Sequence, residues 1–266
     1  MTNDNFFSIH NLSISFGGLM AVDNVSFDVL PGSIFSIIGP NGAGKTTIFN
    51  CINGLYSPDS GKIIFQGKNI IGLKPHKIAQ KGIARTFQNI ELFSRMTTME
   101  NLMLGRHIHM KTGIWTGSTF YRRGSRAAQE EIKHRERVEE IIDLLDLQVA
   151  RNQFVGGLPY GTQKLIELGR ALALEPQLLL LDEPSAGMNS EEKQDLIFWI
   201  KDIQDELGVT ILLIEHDMKL IMDISDRILA INFGKPITEG TPAEIQKHPE
   251  VLKAYLGEDE VIGHAA

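Results

Sequence analysis

GPNGAGKT, residues 39–46, is the strongest fold signal in this chain of 266 residues. It follows the apolar run from Ile34 to Ile38 and precedes a segment in which Ile48 and Ile52 recur at helical spacing. A G-x-x-x-x-G-K-[ST] loop between a strand and a helix is typical of phosphate binding, because its glycines let backbone N–H groups converge on the anion. The sequence therefore predicts a nucleotide-binding α/β domain, although this loop alone fits kinases, GTPases and many ATPases.

The polar residues of the loop have expected contacts. Lys45 should reach the β- and γ-phosphate oxygens, and the Thr46 hydroxyl is a suitable ligand for Mg²⁺. The helix that follows adds its positive N-terminal end. We expect the nucleotide to contact an uninterrupted stretch of the chain, namely Gly39, Pro40, Asn41, Gly42, Ala43, Gly44, Lys45, Thr46 and Thr47.

Two further apolar runs, Leu178 to Leu181 and Ile211 to Ile214, are bounded by polar or turn residues. With residues 34–38 they predict the parallel strands of a central sheet covered on both faces. A crossover helix is predicted between them, with Ser190 as its candidate N-cap. Its first turn contains Glu191 and Glu192, and its buried face is expected to carry Leu196, Ile200, Ile203 and Leu207.

Smaller units surround this predicted P-loop core. Alternating residues at 12–16, 27–29 and 62–65 predict a small N-terminal antiparallel sheet. Helical periodicity predicts a helical subdomain over residues 97–165, and we expect a C-terminal helix and tail over 240–266. All of them should belong to one domain that spans residues 1–266.

Residues suited to catalysis follow the two later apolar runs. Asp182 and Glu183 come directly after Leu181, and His216 lies two residues after Ile214. Parallel α/β sheets bind ligands beyond the carboxyl ends of their strands. Adjacent strand residues point to opposite sides, so we expect Asp182 to hold Mg²⁺ and Glu183 to polarise an attacking water. A neutral His216 can hydrogen-bond a γ-phosphate oxygen.

Composition argues against several classes of protein. The net charge of −7 has the wrong sign for a surface that grips nucleic acid throughout. No apolar stretch approaches the roughly 18 residues of a membrane span, and Asp4 lies where a signal peptide has a basic residue. The single cysteine, Cys51, allows no internal disulfide and is expected to be a small helix residue. We therefore expect a cytosolic protein.

The order of the motifs resembles that of the ATP-binding subunit of an ABC (ATP-binding cassette) transporter. Besides the phosphate loop, the motifs are TFQN (86–89), LPYGTQ (158–163), LLLLDE (178–183), SAGMN (185–189) and His216. The resemblance covers nearly the whole chain and implies ATP and Mg²⁺ as ligands. It implies that Phe16 stacks on adenine, and that Gln88 contributes to catalysis and the metal site and reports the nucleotide state to the helical subdomain.

In this family two cassettes face each other head to tail. The resemblance therefore implies that Tyr160 and Gly161, at the signature motif, complete the ATP site of a second subunit, which is the same or a paralogous ATPase. It further implies transmembrane permease subunits as partners, a periplasmic or extracellular solute-binding protein as an indirect partner, and no nucleic acid. The expected location is the cytoplasmic face of the inner membrane, through the permease and with no transmembrane segment in this chain.

Longer phrases resemble the ATPases of branched-chain amino-acid importers, among them ARTFQNIELF (84–93) and EGTPAEI (239–245). Urea/amide and lipopolysaccharide transport ATPases share several such phrases and remain alternatives.

Pro159 and Thr162 stand where the usual signature has Ser and Gln, and Asn189 stands where the usual motif has an acid. Slower hydrolysis and neutral drift both fit these departures.

Two features favour the ABC interpretation over other classes. A soluble ABC-type ATPase acting on nucleic acid is expected to carry coiled-coil insertions or tandem cassettes, and this sequence has neither. A kinase or GTPase would need no signature helix, and no N-K-x-D guanine motif occurs.

Residues 106–137 hold eight Lys/Arg and three Glu, a local charge of +5. We expect this segment to be a solvated helical surface, with a membrane-side contact as the alternative.

Overall fold

The computed structural model describes residues 6–86, 90–110 and 126–255. Its strands form a six-stranded and a four-stranded sheet. In chain order they are β1 (Phe7–Phe16), β2 (Leu19–Val29), β3 (Ile34–Ile38), β4 (Ser60–Phe65), β5 (Lys68–Asn69), β6 (Ile83–Arg85), β7 (Leu178–Asp182), β8 (Thr210–Ile214), β9 (Arg227–Asn232) and β10 (Lys235–Gly240).

The six-stranded sheet has the order β10-β9-β3-β8-β7-β6. All its neighbouring strands pair in parallel except β10, which is antiparallel to β9. On β7, Leu178 and Leu180 pack into the apolar core on one face, and Leu179 and Leu181 into the core on the other. Both faces are therefore covered, which confirms the predicted parallel central sheet.

The four-stranded sheet is antiparallel and has the order β2-β1-β4-β5. Phe7 on β1 faces Val29 on β2 and Phe65 on β4. These residues share a core with Phe35 and Ile37 of β3, so this sheet covers one face of the central sheet. The predicted N-terminal antiparallel sheet is confirmed, and so is the fold class.

The helices lie around the central sheet and extend from it. In chain order they are α1 (Lys45–Ile52), α2 (Pro75–Ala79), α3 (Thr98–Gly105), α4 (Arg126–Leu144), α5 (Tyr160–Leu172), α6 (Ser190–Leu207), α7 (Met218–Ile224) and α8 (Pro242–Ile245). Short 3₁₀ turns cover Arg106–His109 and Val155–Gly157.

The start of α6 corrects one prediction. The N-cap is Asn189 and not Ser190, because the Asn189 side chain accepts hydrogen bonds from the backbone N–H groups of Glu191 and Glu192. The Glu192 carboxylate in turn accepts from the Asn189 backbone. On the predicted inner face Leu196, Ile200 and Ile203 are buried, whereas Leu207 is 38% exposed.

The predicted domain limits remain predictions. α3 and α4 lie inside the predicted helical subdomain 97–165, and α5 crosses its end. In the C-terminal region 240–266, α8 and a helical segment at 249–255 are present, and residues 256–266 lie outside the described residues. None of the described helices is long and apolar enough to cross a membrane.

Candidate nucleotide-binding and hydrolytic site

The phosphate loop joins the end of β3 to α1, and close backbone packing explains two of its glycines. Gly39 has a φ of +156° and Gly44 a φ of +102°. A Cβ atom on Gly39 would lie 2.2 Å from the carbonyl oxygen of Ile231, and one on Gly44 would lie 2.5 Å from that of Ala21. No side chain fits at such distances, so this loop conformation requires glycine at both positions.

Lys45 is the first residue of α1 and is buried in the loop. Its ammonium donates to the carbonyl oxygens of Gly39 at 2.6 Å and Pro40 at 3.0 Å. The positive charge is thus held beside the N-terminus of α1, where backbone N–H groups favour an anion. Of the other predicted contact residues, Asn41, Gly42 and Thr46 are exposed, Ala43 is buried, and Pro40, Gly44 and Thr47 are half-buried.

Asp182, at the end of β7, forms a buried ion pair with Arg85 at the end of β6. The Asp182 Oδ2 and Arg85 Nη2 atoms are 2.6 Å apart, and the two side chains are only 3% and 5% exposed. Arg85 also donates to the Asn50 side chain at 2.7 Å, and its guanidinium lies 5.6 Å from the centre of the Phe49 ring. Burial raises the pKa of Asp182, and the Arg85 guanidinium opposes this shift.

No local pattern in the sequence specifies a role for Arg85. The available signal was its place directly after the apolar residues Ile83 and Ala84 and just before TFQN, but its partner Asp182 lies 97 residues further along the chain. Local periodicity carries no information about such a pair. In the structure Arg85 fixes Asp182 to both the neighbouring strand and α1.

The predicted catalytic pair, Glu183 and His216, is in direct contact. The Glu183 Oε1 and His216 Nε2 atoms are 2.6 Å apart. Glu183 has a φ of +48°, a left-handed backbone conformation that is uncommon outside glycine. Its N–H donates to the carbonyl oxygen of Ile214 at the end of β8. The sheet therefore brings together two residues that are 33 positions apart.

The signature residues lie at the start of α5. Pro159 is the residue before the helix, and Tyr160 is 45% exposed. The Tyr160 ring packs against Gly187, and Gly161 lies against the Glu192 carboxylate at the start of α6. Within the described residues, no hydrogen bond joins Tyr160 or Gly161 to the phosphate loop.

Phe16, the predicted adenine-stacking residue, ends β1 and is 46% exposed. It makes an edge-to-face contact with Tyr56 at a centroid distance of 5.2 Å. Tyr56 is itself exposed and was not identified from the sequence. Gln88, predicted for the catalytic and metal sites, lies outside the described residues.

The residues present fit a magnesium ion. Thr46 and Asp182 supply hydroxyl and carboxylate oxygens, which are the ligands that Mg²⁺ prefers. The described part of the chain contains no cluster of three or more His, Cys, Asp or Glu side chains that could hold a metal by itself. A small protein oxygen set completed by phosphate oxygens is the usual arrangement for this ion.

A phosphate loop joins β3 to α1, and an acid ends β7, which is separated from β3 by the single strand β8. This arrangement defines a P-loop nucleoside triphosphatase. Two family models match the sequence. The ABC transporter model matches residues 22–186, and the model of the branched-chain amino acid ATP-binding cassette transporter matches residues 235–261. The chain belongs to the ABC transporter family and is an ATP hydrolase of that family, as the order of motifs predicted.

Relatives and solved structures agree over nearly the whole chain. It is 46% identical to the high-affinity branched-chain amino acid transport ATP-binding protein BraF of Pseudomonas aeruginosa, covering 94% of this chain and 97% of BraF. It is 43% identical to LivG of Escherichia coli K12, a protein of the same description, with 94% and 97% coverage. An ATP-binding cassette of an ABC transporter in its ADP conformation superposes with a TM-score of 0.81, at 29% identity, covering 95% of this chain and 98% of that one.

Proposed function

We propose that this chain is the ATP-hydrolysing subunit of an importer for branched-chain amino acids. The contact between Glu183 and His216 beside the phosphate loop carries the hydrolytic part of this proposal. The imported solute is inferred from the 46% identity with BraF and from the branched-chain model over the C-terminal region. These similarities favour branched-chain amino acids over urea, amides or lipopolysaccharide as the transported class.

Binding of ATP begins at the phosphate loop. Lys45 contacts the β- and γ-phosphates, and the backbone N–H groups at the start of α1 bind phosphate oxygens. Thr46, Asp182 and Gln88 are the proposed ligands of Mg²⁺, which when bound neutralises charge on these phosphates. Phe16 supports the adenine ring by stacking. Its neighbour Tyr56 extends this aromatic surface.

Hydrolysis is assigned to the pair at the ends of β7 and β8. Glu183 orients a water and accepts its proton while the water oxygen bonds to the γ-phosphorus. The bond from that phosphorus to the bridging oxygen breaks, and ADP leaves with the electron pair. His216 holds Glu183 in place and is positioned to hydrogen-bond a γ-phosphate oxygen.

The signature residues act in a second subunit. Tyr160 lies partly exposed at the start of α5, where a helix N-terminus favours an anion, and Gly161 is buried beside the Glu192 carboxylate. We assign Tyr160 and Gly161 to the ATP site of a facing ATPase subunit, the same or paralogous. The other proposed partners are permease subunits, which hold the chain at the cytoplasmic face of the membrane, and indirectly a solute-binding protein.

Two substitutions in the full-length chain test the hydrolytic assignment. Glu183→Gln should lower kcat for ATP hydrolysis by about 10²- to 10⁴-fold, because the general base is lost. Binding of a fluorescent ATP analogue and dimer formation should persist. Lys45→Ala should instead weaken nucleotide binding itself. Hydrolysis at the wild-type rate by the Glu183→Gln variant would remove Glu183 from its proposed role.

The transported solute needs a separate test. Cells that lack the gene should lose uptake of radiolabelled leucine and regain it with the wild-type gene but not with Glu183→Gln. Unchanged leucine uptake in the deletion strain would contradict the proposed solute and leave the ATPase assignment intact.

A further inference from the structure

Glu215, the residue before His216, is a buried acid between the loops that carry Glu183 and His216. It follows the last residue of β8 and is only 3% exposed. Burying a carboxylate is costly unless hydrogen bonds replace its lost hydration. The function described above gives Glu215 no task, and the sequence offered no signal for one.

The two oxygens of Glu215 bind the backbones of two different loops. Oε1 accepts from the N–H of Ser185 at 2.7 Å, in the turn that follows Glu183. Oε2 accepts from the N–H of His216 at 2.9 Å, and the N–H of Asp217 lies 3.5 Å from the same atom. One side chain thus connects the backbone near the proposed base to the backbone that carries its histidine.

The turn after β7 needs such an anchor. Glu183 has a φ of +48°, and a non-glycine residue in this region persists only where surrounding contacts enforce it. The hydrogen bond from Glu183 N to Ile214 O, 2.8 Å long, holds one end of the turn to β8. The bond from Ser185 N to Glu215 holds the turn two residues later.

We propose that Glu215 is a positioning residue, which fixes the Glu183 turn and the His216 loop at the separation that lets their side chains meet. This inference rests on the proposed role of Glu183 as the base. Because backbone N–H groups occupy its two carboxylate oxygens, we give Glu215 no contact with ATP or with the attacking water. It acts through the Glu183 to His216 distance of 2.6 Å.

Glu215→Gln is the informative substitution. The glutamine has nearly the same shape, but one carboxylate oxygen becomes an NH₂ group that cannot accept a hydrogen bond. Either Ser185 or His216 then loses its acceptor and faces a donor instead. Glu215→Asp keeps the charge but is one carbon shorter, so it reaches only one of the two loops.

Steady-state ATP hydrolysis and binding of a fluorescent ATP analogue should be measured on the full-length chain. We expect kcat for Glu215→Gln to fall by about 10- to 100-fold, because a misplaced catalytic group costs about that much. The Kd for the nucleotide should stay within about twofold, because Lys45 and its loop are untouched. Hydrogen exchange at the Ser185 amide should become faster, while the amides of α5 exchange as before.

Glu244→Gln is the matched control, because Glu244 also accepts from a backbone N–H, that of Thr241, at the start of α8. It should leave kcat unchanged. If Glu215→Gln fails to fold, Glu215→Asp is measured instead, with the same expected result.

A folded variant with wild-type kcat, or one that loses nucleotide binding in parallel with kcat, would overturn the positioning role. Normal ATP hydrolysis by Glu183→Gln would show that the proposed function is wrong, whatever the result for Glu215→Gln. Wild-type kcat in Glu215→Gln together with a low kcat in Glu183→Gln would show that only the positioning role is wrong.

Discussion

Replacing Arg85 by Met should destabilise the protein by about 3–5 kcal/mol, the usual cost of removing one partner from a buried ion pair. The pair is buried on both sides, with side-chain exposures of 5% and 3% and an N to O distance of 2.6 Å. Methionine fills similar space, so the loss is mainly electrostatic: the Asp182 carboxylate keeps its burial and loses its cation. The hydrogen bond from Arg85 to Asn50 is also lost, and its contribution to the free energy of unfolding is included in this range.

The loss in free energy of unfolding caused by Arg85→Met should depend on pH in a definite direction. Burial raises the pKa of Asp182 and Arg85 opposes that rise, so removing Arg85 raises this pKa further. An acid whose pKa is higher in the folded than in the unfolded state stabilises the fold below the unfolded pKa, and this contribution is lost as pH rises through the folded pKa. The difference in free energy of unfolding between variant and wild type should therefore be largest near neutral pH and become smaller on acidification.

Urea unfolding followed by tryptophan fluorescence, at about pH 7.5 and about pH 5.5, measures both effects. Arg227→Met is the control, because the Arg227 to Glu239 ion pair is 46% and 28% exposed. It should cost less than about 1 kcal/mol at either pH. A loss of less than about 1 kcal/mol for Arg85→Met, or an equal loss at both pH values, would refute this account of the Asp182 environment.

Two further predictions concern α6 and α1. Asn189→Ala should cost about 0.5–2 kcal/mol in urea unfolding, because the α6 N-cap is lost; Ser190→Ala should cost clearly less, and equal losses would contradict the observed cap. Burial raises the pKa of the Cys51 thiol to about 12, so iodoacetamide at about pH 8 should label the native protein far more slowly than the urea-unfolded chain. Equal labelling rates would show that the α1 core opens readily.

The sequence was most informative where a feature depends on neighbouring residues. β3, β7 and β8 are buried strands of five residues inside the sheet, and continuous apolar runs in the sequence predict them. Because parallel strands align their carboxyl ends, Glu183 and His216 could be expected at one edge before their contact was seen. β6 has three residues, too few for a readable period.

The start of α6 is specified by a local signal in the sequence. Asn189 and Ser190 are both good N-cap residues. Only Asn189 has a glutamate three residues later, Glu192, and this pair forms a capping box. The residue three after Ser190 is Lys193, which cannot accept the backbone hydrogen bond. The same test applied to the sequence would have placed the start of α6 correctly.

Arg85 and Glu215 differ from the cap because no local pattern specifies them. Each is a charged residue at the end of an apolar strand, where a solvated side chain is equally consistent with the sequence. Arg85 becomes a buried partner of Asp182 only because β6 and β7 are neighbours in the sheet. Glu215 is buried where the Ser185 turn meets the end of β8.

The adjacent acids of β7 are therefore held by different means. Asp182, the proposed magnesium ligand, is fixed by an ion pair to the next strand. Glu183 depends on a turn in an uncommon backbone conformation, which Glu215 anchors from β8. A disturbance of that turn should thus affect hydrolysis before it affects nucleotide binding.

The same turn also connects the signature residues to Glu183, the proposed base, within one chain. The Tyr160 ring packs against Gly187, and Gly161 lies against Glu192, so both contact the segment that leads from Glu183 into α6. Through these contacts a displacement at the start of α5 is expected to disturb the Glu183 turn of the same chain. The departures Pro159 and Thr162 lie beside Tyr160 and Gly161, so their effect on hydrolysis should appear in the site of the facing subunit and, through these contacts, in the chain that carries them.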